Sequence, residues 1–136
     1  MRIQEIMSTN VKLATPDQKL REAARLMSEC DIGAIPVGQG DRLVGMITDR
    51  DIAIRGVAEG RGPDATVGEV MTPQVCYCYE DEDVEQVCHN MVNVQMRRLP
   101  VLNREKRLVG IVALGDLAVR ASATAGRALS GISQRD

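Results

Sequence analysis

The stretch Arg42-Leu43-Val44-Gly45 recurs later in the chain as Arg107-Leu108-Val109-Gly110. Earlier in the chain the pair Pro36-Val37 recurs as Pro100-Val101, at an offset that is shorter by one position. Nearly the whole chain is therefore two copies of one unit. A repeat of this length with only two copies is too long for most solenoids, so it predicts a pseudo-twofold pair whose apolar faces are buried against each other.

The length bounds how the two copies are organised. The chain has 136 residues, and units of about 60 residues are marginally stable alone, so we expect both copies to form one globule. We predict repeat 1 at residues 1–63, repeat 2 at 64–123 and a flexible C-terminal tail at 124–136. Because the sequence contains no Phe, no Trp and two Tyr, the core must be packed from aliphatic and methionine side chains.

Composition argues against several classes of function. A formal net charge of −2 and almost no aromatic side chains argue against binding to nucleic acid. No apolar stretch approaches the roughly 20 residues that cross a bilayer, and the N-terminal segment holds no apolar signal core, so we expect a cytoplasmic protein with no membrane partner. The irregular spacing of Cys30, Cys76, Cys78 and Cys88 predicts reduced thiols rather than a disulfide framework.

Apolar spacing predicts the same elements in each copy. Thr15-Pro16-Asp17-Gln18 offers an N-cap, a proline at the first helical position and a glutamine that completes a capping box. The buried stripe of this helix would consist of Leu20, Ala23, Ala24 and Met27, and that of its counterpart of Val84, Val87, Cys88 and Met91. Two short apolar runs follow in each copy, then a second helix, at about residues 49–59 and 114–120. The order strand, helix, strand, strand, helix predicts an α/β (α+β) fold.

The second strand of copy one runs into its helix as Gly45-Met46-Ile47-Thr48-Asp49-Arg50-Asp51, and copy two has Gly110-Ile111-Val112-Ala113-Leu114-Gly115-Asp116. A carboxylate three residues after a hydroxyl can accept hydrogen bonds from both hydroxyls of a ribose, while the Thr hydroxyl and the free N–H groups of the helix start suit a phosphate. The same Thr-x-x-Asp spacing is also a capping box, which stabilises a helix by roughly 1 kcal/mol without a ligand. Both interpretations stay open for Asp51.

These segments, in this order and twice over, resemble a tandem pair of CBS domains, the module named for cystathionine β-synthase, and specifically the small stand-alone bacterial proteins made of one such pair. The resemblance also rests on Ile6-Met7, Val70-Met71-Thr72-Pro73, Ile35-Pro36-Val37 and Leu99-Pro100-Val101. It implies a non-catalytic regulatory module that binds an adenosine-containing ligand (AMP, ADP, ATP or S-adenosylmethionine) in clefts between the repeats. We therefore expect a homodimer formed through helical faces, with an adenine nucleotide as regulatory ligand, no required cofactor and an unknown regulated protein as partner.

In the family each cleft combines one copy's Thr-x-x-Asp segment with the other copy's opening segment and the residues before its Pro-Val strand. Carried over to this chain, the first cleft would be lined by Met46, Thr48, Arg50, Asp51, Met71, Thr72, Cys76, Met96, Arg97 and Arg98. The second, weaker cleft would be lined by Met7, Ser8, Lys12, Ile32, Gly33, Ile111, Ala113 and Asp116. Asp51 would hold the ribose and Thr48 the phosphate. Ala113 departs from the family pattern, although Lys12 could partly substitute for the missing hydroxyl as a point charge.

Other interpretations stay open. The arginines could be solvated surface charges and the methionines core filler, which would favour a structural or protein-interaction module without a nucleotide. Cys76-Tyr77-Cys78 on a strand would point both thiols to one face, and with Cys88 and His89 this suggests a metal- or redox-responsive protein, although structural thiols and no metal are the favoured interpretation. No nucleophile, histidine and acid stand at a catalytic spacing, and no phosphate-loop motif occurs, so we expect no enzyme activity.

Overall fold

The structure is a computed structural model, and it describes residues 1–73, 75–94 and 98–113, with the backbone alone for 90–94. In chain order the elements are a 3₁₀ turn (Ile3–Glu5), α1 (Leu20–Cys30), β1 (Ala34–Gln39), β2 (Arg42–Thr48), α2 (Asp49–Asp51) with a π-helical segment (Ile52–Val57), α3 (Val67–Val70), β3 (Cys78–Tyr79), α4 (Val84–Val94), β4 (Arg98–Leu102) and β5 (Leu108–Ala113). The predicted α+β class is confirmed. The helix expected at 114–120 and the tail at 124–136 lie outside the described residues.

The chain divides into two compact units that differ from the sequence repeats. The first unit is Lys12–Val75, and the second combines Met1–Val11 with the chain from Cys76 onward. Each unit has a core of its own, in which an opening segment packs with the other sequence repeat. Val67 and Val70 are buried with Ile35 in the first unit, and Ile3 is buried with Val101 in the second. The predicted boundary between the sequence repeats, at residues 63 and 64, stays a prediction, and it does not describe the boundary of the compact units.

The same backbone hydrogen bonds recur in both units. In the first unit the N–H of Leu20 donates to the carbonyl of Ala65 at 2.8 Å, and in the second unit the N–H of Val84 donates to the carbonyl of Met1 at 3.0 Å. Each of these bonds joins the start of a long helix to the segment that opens the other repeat. Equivalent positions of the two sequence copies therefore form equivalent backbone hydrogen bonds.

The strands form two small sheets. β1 and β2 pair antiparallel, with a register shift between Val37 and Gly38. In the second unit β3 runs parallel to β4, and β4 pairs antiparallel with β5, with the equivalent shift between Val101 and Leu102. The strand expected to open the first copy is reduced to a single bridge between Ala14 and Val37. Two predicted hairpins are confirmed, but the first opening strand is wrong.

The predicted start of the first helix is also wrong. Thr15 is not its N-cap, because the N–H of Thr15 donates to Oε1 of Gln18 at 2.8 Å and α1 begins only at Leu20, after Lys19, whose side chain makes no capping bond. The turn Thr15-Pro16-Asp17-Gln18 is thus held by hydrogen bonds between Thr15 and Gln18, before the helix begins.

The predicted buried stripe is confirmed at Leu20, Ala23, Met27, Val84, Val87 and Cys88. Ala24 is exposed instead, and the side chain of Met91 lies outside the described set.

No helix within 1–73, 75–94 or 98–113 is both long enough and apolar enough to span a membrane.

Candidate functional site

The turn from β2 into α2 is held by Thr48 and Asp51. The Thr48 Oγ1 accepts a hydrogen bond from the N–H of Asp51 at 3.0 Å, and the Asp51 Oδ2 accepts one from the N–H of Thr48 at 3.1 Å. The capping box is therefore formed in both directions. Because the Thr48 oxygen accepts in this arrangement, its hydroxyl proton remains a donor for another group. Capping and ligand binding are thus compatible at this turn.

The segment that opens the second repeat lies against β2. The N–H of Met46 donates to the carbonyl of Thr72 at 2.9 Å, and the N–H of Thr72 donates to the carbonyl of Met46 at 2.8 Å. Gly45 permits this approach, because a Cβ built there would stand 2.7 Å from the Thr72 oxygen and 2.9 Å from the sulfur of Met71. The pairing brings Thr72 into the same unit as Thr48 and Asp51.

Arg55 links these groups, and the sequence reasoning missed it. Its Nη2 donates to Oδ1 of Asp51 at 2.9 Å and to Oγ1 of Thr72 at 2.8 Å. The Asp51 side chain is 15% exposed and that of Arg55 38%, so the carboxylate is partly shielded while the guanidinium is reachable from solvent. We call Thr48, Asp51, Arg55 and Thr72 the Asp51 cluster.

The remaining residues predicted for the first cleft are divided between the two units. Arg50 is exposed on α2, Met46 is buried, and Met71 packs against the core of the first unit, as expected for core filler. Cys76 and Arg98 belong to the second unit. Met96 and Arg97 lie outside the described residues. One unit therefore contains Met46, Thr48, Arg50, Asp51, Met71 and Thr72. The ligand-binding roles assigned to all residues of the first cleft stay predictions.

The second unit repeats part of this geometry. Ser8 and Ile111 exchange two backbone hydrogen bonds of 2.9 Å, equivalent to the pair formed by Met46 and Thr72, and Met7 packs against the local core. Ala113 ends β5 and offers no hydroxyl. Of the other predicted residues, Lys12, Ile32 and Gly33 belong to the first unit, where the Gly33 carbonyl accepts the N–H of Asp49, and Asp116 lies outside the described residues.

The cysteines have different surroundings. Cys76 is exposed, whereas Cys78 and Cys88 are buried. The strand expected to carry both Cys76 and Cys78 is wrong in its extent, because β3 begins only at Cys78. Burial, followed by the charge of Glu82, raises the pKa of the Cys78 thiol to about 12. A thiol held protonated in this way is a poor nucleophile and metal ligand. Within the described ranges no group of three or more His, Cys, Asp or Glu side chains is placed to hold a metal ion.

This combination defines a CBS-domain pair: a helix and a hairpin occur twice, each hairpin pairs with an opening segment, and the first copy has a Thr-x-x-Asp turn. The CBS domain model matches residues 3–56 and 67–123, and the chain belongs to that family. It is 42% identical over 136 residues to the CBS domain-containing protein YhcV of Bacillus subtilis, covering 98% of this chain and 96% of that protein.

Two solved structures show what similar proteins hold. A crystal structure of Hypoxic Response Protein I with two coordinated zinc ions is 40% identical, with a TM-score of 0.79, covering 88% of this chain and 98% of that one. The CBS domain pair of protein MJ0100, in complex with 5′-methylthioadenosine and S-adenosyl-L-methionine, is 29% identical, with a TM-score of 0.76, covering 90% and 97%.

Proposed function

We propose that this chain is a non-catalytic regulatory module that binds an adenosine-containing ligand (AMP, ADP, ATP or S-adenosylmethionine) at the Asp51 cluster and thereby changes its fit to a partner protein. The observation that carries the proposal is the Asp51 carboxylate. It is partly shielded, with 15% of its side chain exposed, and it lies in a chain of the CBS family with a 29% identical neighbour that holds adenosyl ligands.

The acceptor capacity of Asp51 supports this role. Its Oδ1 accepts one bond from Arg55 and its Oδ2 one from Thr48, whereas a carboxylate has about four lone-pair positions. Among the described residues nothing else binds these oxygens, so one position remains on each, and a cis-diol donates two hydrogen bonds with matching separation. Thr48 adds a hydroxyl donor on the same turn. Ribose recognition thus requires no dismantling of the capping box.

A ligand bound at such a site can act as a switch. A molecule that binds one arrangement of the protein more tightly than another shifts the population by the ratio of its two affinities. The regulated protein would recognise one of these arrangements.

The experiment is a calorimetric titration of nucleotide-stripped protein with AMP, ADP, ATP and S-adenosylmethionine, with thermal melts at saturating ligand. A ligand at about 100 times its Kd stabilises the folded state by about 2.7 kcal/mol, which raises the melting temperature by several degrees. Zinc is titrated in parallel, because a 40% identical structure contains it. Flat nucleotide titrations of folded protein would favour an interaction module, and a response to zinc alone a metal-dependent one.

The proposal includes a homodimer formed through helical faces. Ile54 and Val57 lie about one turn apart on the π-helical segment and are 45% and 71% exposed. Neighbouring apolar side chains that are exposed together are typical of a surface that contacts another chain. Sedimentation equilibrium should give twice the monomer mass for the wild type and a lower mass for Val57→Glu. A monomeric wild type at high micromolar concentration would contradict this part of the proposal.

A further inference from the structure

Arg55 belongs to the Asp51 cluster, but the proposed function assigns it no role. It lies four residues after Asp51 and 17 before Thr72, and a single nitrogen, Nη2, donates to both. Because Nη2 carries two hydrogens, both are used by these bonds. The guanidinium is therefore fixed at the groups that we expect to contact a nucleotide.

The other N–H groups of the Arg55 guanidinium are available to a ligand. Arginine has five N–H donors, and within the described residues the three on Nη1 and Nε of Arg55 make no hydrogen bond or ion pair. The side chain is 38% exposed, so a solute can reach it. Charged donors of this kind form short, strong hydrogen bonds with the oxygens of a phosphate.

A ligand could meet Arg55 in two ways, and both favour a phosphate. If a diol takes the remaining lone pairs of Asp51, Arg55 stays in place and offers its other donors to a phosphate. If the diol displaces Arg55, a partly exposed ion pair is lost, which changes an equilibrium by less than about fivefold. A phosphate then gives the guanidinium a new charge-assisted hydrogen bond in place of the lost one, whereas a ligand without a phosphate replaces nothing.

Neutral and cationic ligands benefit in neither case. Adenosine has no anionic group to accept hydrogen bonds from the guanidinium. In S-adenosylmethionine the position next to the ribose, where AMP has its phosphate, holds a sulfonium of the same sign of charge, and the carboxylate lies four bonds beyond the sulfur. We propose that Arg55 determines ligand selectivity at the Asp51 cluster, favouring nucleoside phosphates over adenosine and S-adenosylmethionine. This inference rests on the proposed function, since it assumes that an adenosyl ligand occupies the cluster.

The test compares AMP, adenosine and S-adenosylmethionine by calorimetry on the wild type, Arg55→Gln and Arg55→Lys. The wild type should bind AMP at least about tenfold more tightly than adenosine. Arg55→Gln should lose that preference through weaker AMP binding while adenosine affinity stays within about fivefold. Arg55→Lys keeps the charge without the planar donor array and should fall between them. The matched control is Arg25→Gln, which removes the same charge from an exposed position on α1 and should leave the preference unchanged.

The outcomes separate this inference from the proposed function. Equal affinities of the wild type for AMP and adenosine, or proportional losses of both in Arg55→Gln, would overturn the selectivity role and leave the binding function standing. Absence of binding by any adenosyl ligand would overturn the proposed function and this inference with it. Circular dichroism and thermal melts check that each variant folds, and Arg55→Lys carries the comparison should Arg55→Gln unfold.

Discussion

Asp51 combines a structural role with the ligand-binding role that we propose, and the two can be separated. As a cap, it needs only an acceptor for the N–H of Thr48, which an amide oxygen also supplies. As a ribose ligand, it needs two charged acceptor oxygens. The substitution Asp51→Asn keeps the side-chain volume and one acceptor while removing the charge and the second acceptor.

We expect Asp51→Asn to weaken binding of AMP by about tenfold or more, because it removes charge-assisted hydrogen bonds. The free energy of unfolding should fall by less than about 1 kcal/mol, since only a partly exposed ion pair is lost. Calorimetry and urea denaturation measure the two effects. Asp49→Asn, an equal charge change on the same turn at an exposed position, is the control. Lower stability with unchanged AMP affinity would leave Asp51 with the capping role alone.

For single residues, the sequence predicts contacts between side chains that are close together in the chain. Thr48 and Asp51 are three residues apart, so their spacing predicts both the capping box and the candidate site. Arg55 was missed because an Asp and an Arg four residues apart are common on helix surfaces, and its second partner, Thr72, lies beyond the link between the repeats. The spacing of Asp51 and Arg55 was the available signal. Thr72 was expected near Asp51 only through the resemblance to CBS domains, which indicated nothing about Arg55.

Among the elements, β2 depends on a residue without a side chain. A Cβ at Gly45 would stand 2.7 Å from the Thr72 oxygen, closer than van der Waals contact allows, so Gly45→Ala must push the opening segment away from β2. We expect a loss of about 1–3 kcal/mol in the free energy of unfolding, as for other overpacked sites. Urea denaturation measures it. Gly62→Ala, where a Cβ meets nothing within 4 Å, is the matched control, and equal stability of the two variants would contradict the close approach.

The hairpin of β4 and β5 is tied to the turn after β3 by an exposed ion pair. Arg104 donates to both carboxylate oxygens of Asp81 at 3.0 and 2.9 Å, and its guanidinium lies 4.1 Å from the ring centre of Tyr79. The hydrogen bond from Arg104, followed by its positive charge, holds the pKa of Asp81 below its usual value. The folded state thus favours the ionised carboxylate.

Because the folded pKa of Asp81 is the lower one, this pair stabilises the protein fully above the unfolded pKa, about 4, and the contribution is lost as the pH falls through the folded pKa. The wild type should therefore be more stable than Asp81→Asn at pH 7, and the difference should shrink as the pH falls below about 4. Urea midpoints between pH 7 and pH 2.5 measure this. Glu105→Gln, in the same hairpin, is the control; a difference independent of pH would exclude the ion pair as its cause.

The start of α1 shows why element boundaries escape sequence reasoning. Thr15 and Pro16 have the composition of a helix N-terminus, but the free N–H groups of α1 at Leu20 and Arg21 donate to the carbonyls of Ala65 and Pro63. A tertiary contact thus supplies the acceptors that a capping side chain would supply elsewhere. Local composition carries no information about carbonyls that distant in the chain.

For the whole molecule, self-similarity gives the repeat length but not the packing partner. A constant offset between the copies is equally consistent with an opening segment that packs on its own repeat or on the other one. The resemblance to CBS domains, rather than composition or spacing, indicated the exchanged arrangement, and the compact units Lys12–Val75 and Met1–Val11 with the chain from Cys76 have it. The N–H groups of Leu20 and Val84 show it in both units, because each donates to a carbonyl in the opening segment of the other repeat.

Because each opening segment packs with the other sequence repeat, we can predict which elements a core substitution destabilises. Ile3 and Ile35 are both fully buried, but Ile3 belongs to the core that contains Val101 and Ile35 to the core that contains Val67. Truncation of a buried isoleucine to alanine costs about 2–5 kcal/mol, and cooperative units lose exchange protection as units. Hydrogen exchange of Ile3→Ala should therefore rise first in α4, β4 and β5, far from Ile3 in sequence, while β1 and β2 keep their protection.

The matched variant Ile35→Ala should show the opposite pattern, with faster exchange in α1, β1, β2 and α3, although Val67 and Val70 of α3 belong to the second sequence repeat. If Ile3→Ala instead exposed residues up to 63 and spared those after 64, the units would follow the sequence repeats. Uniform loss of protection in both variants would mean that the chain unfolds as one cooperative unit, because each substitution would then act on the same global equilibrium.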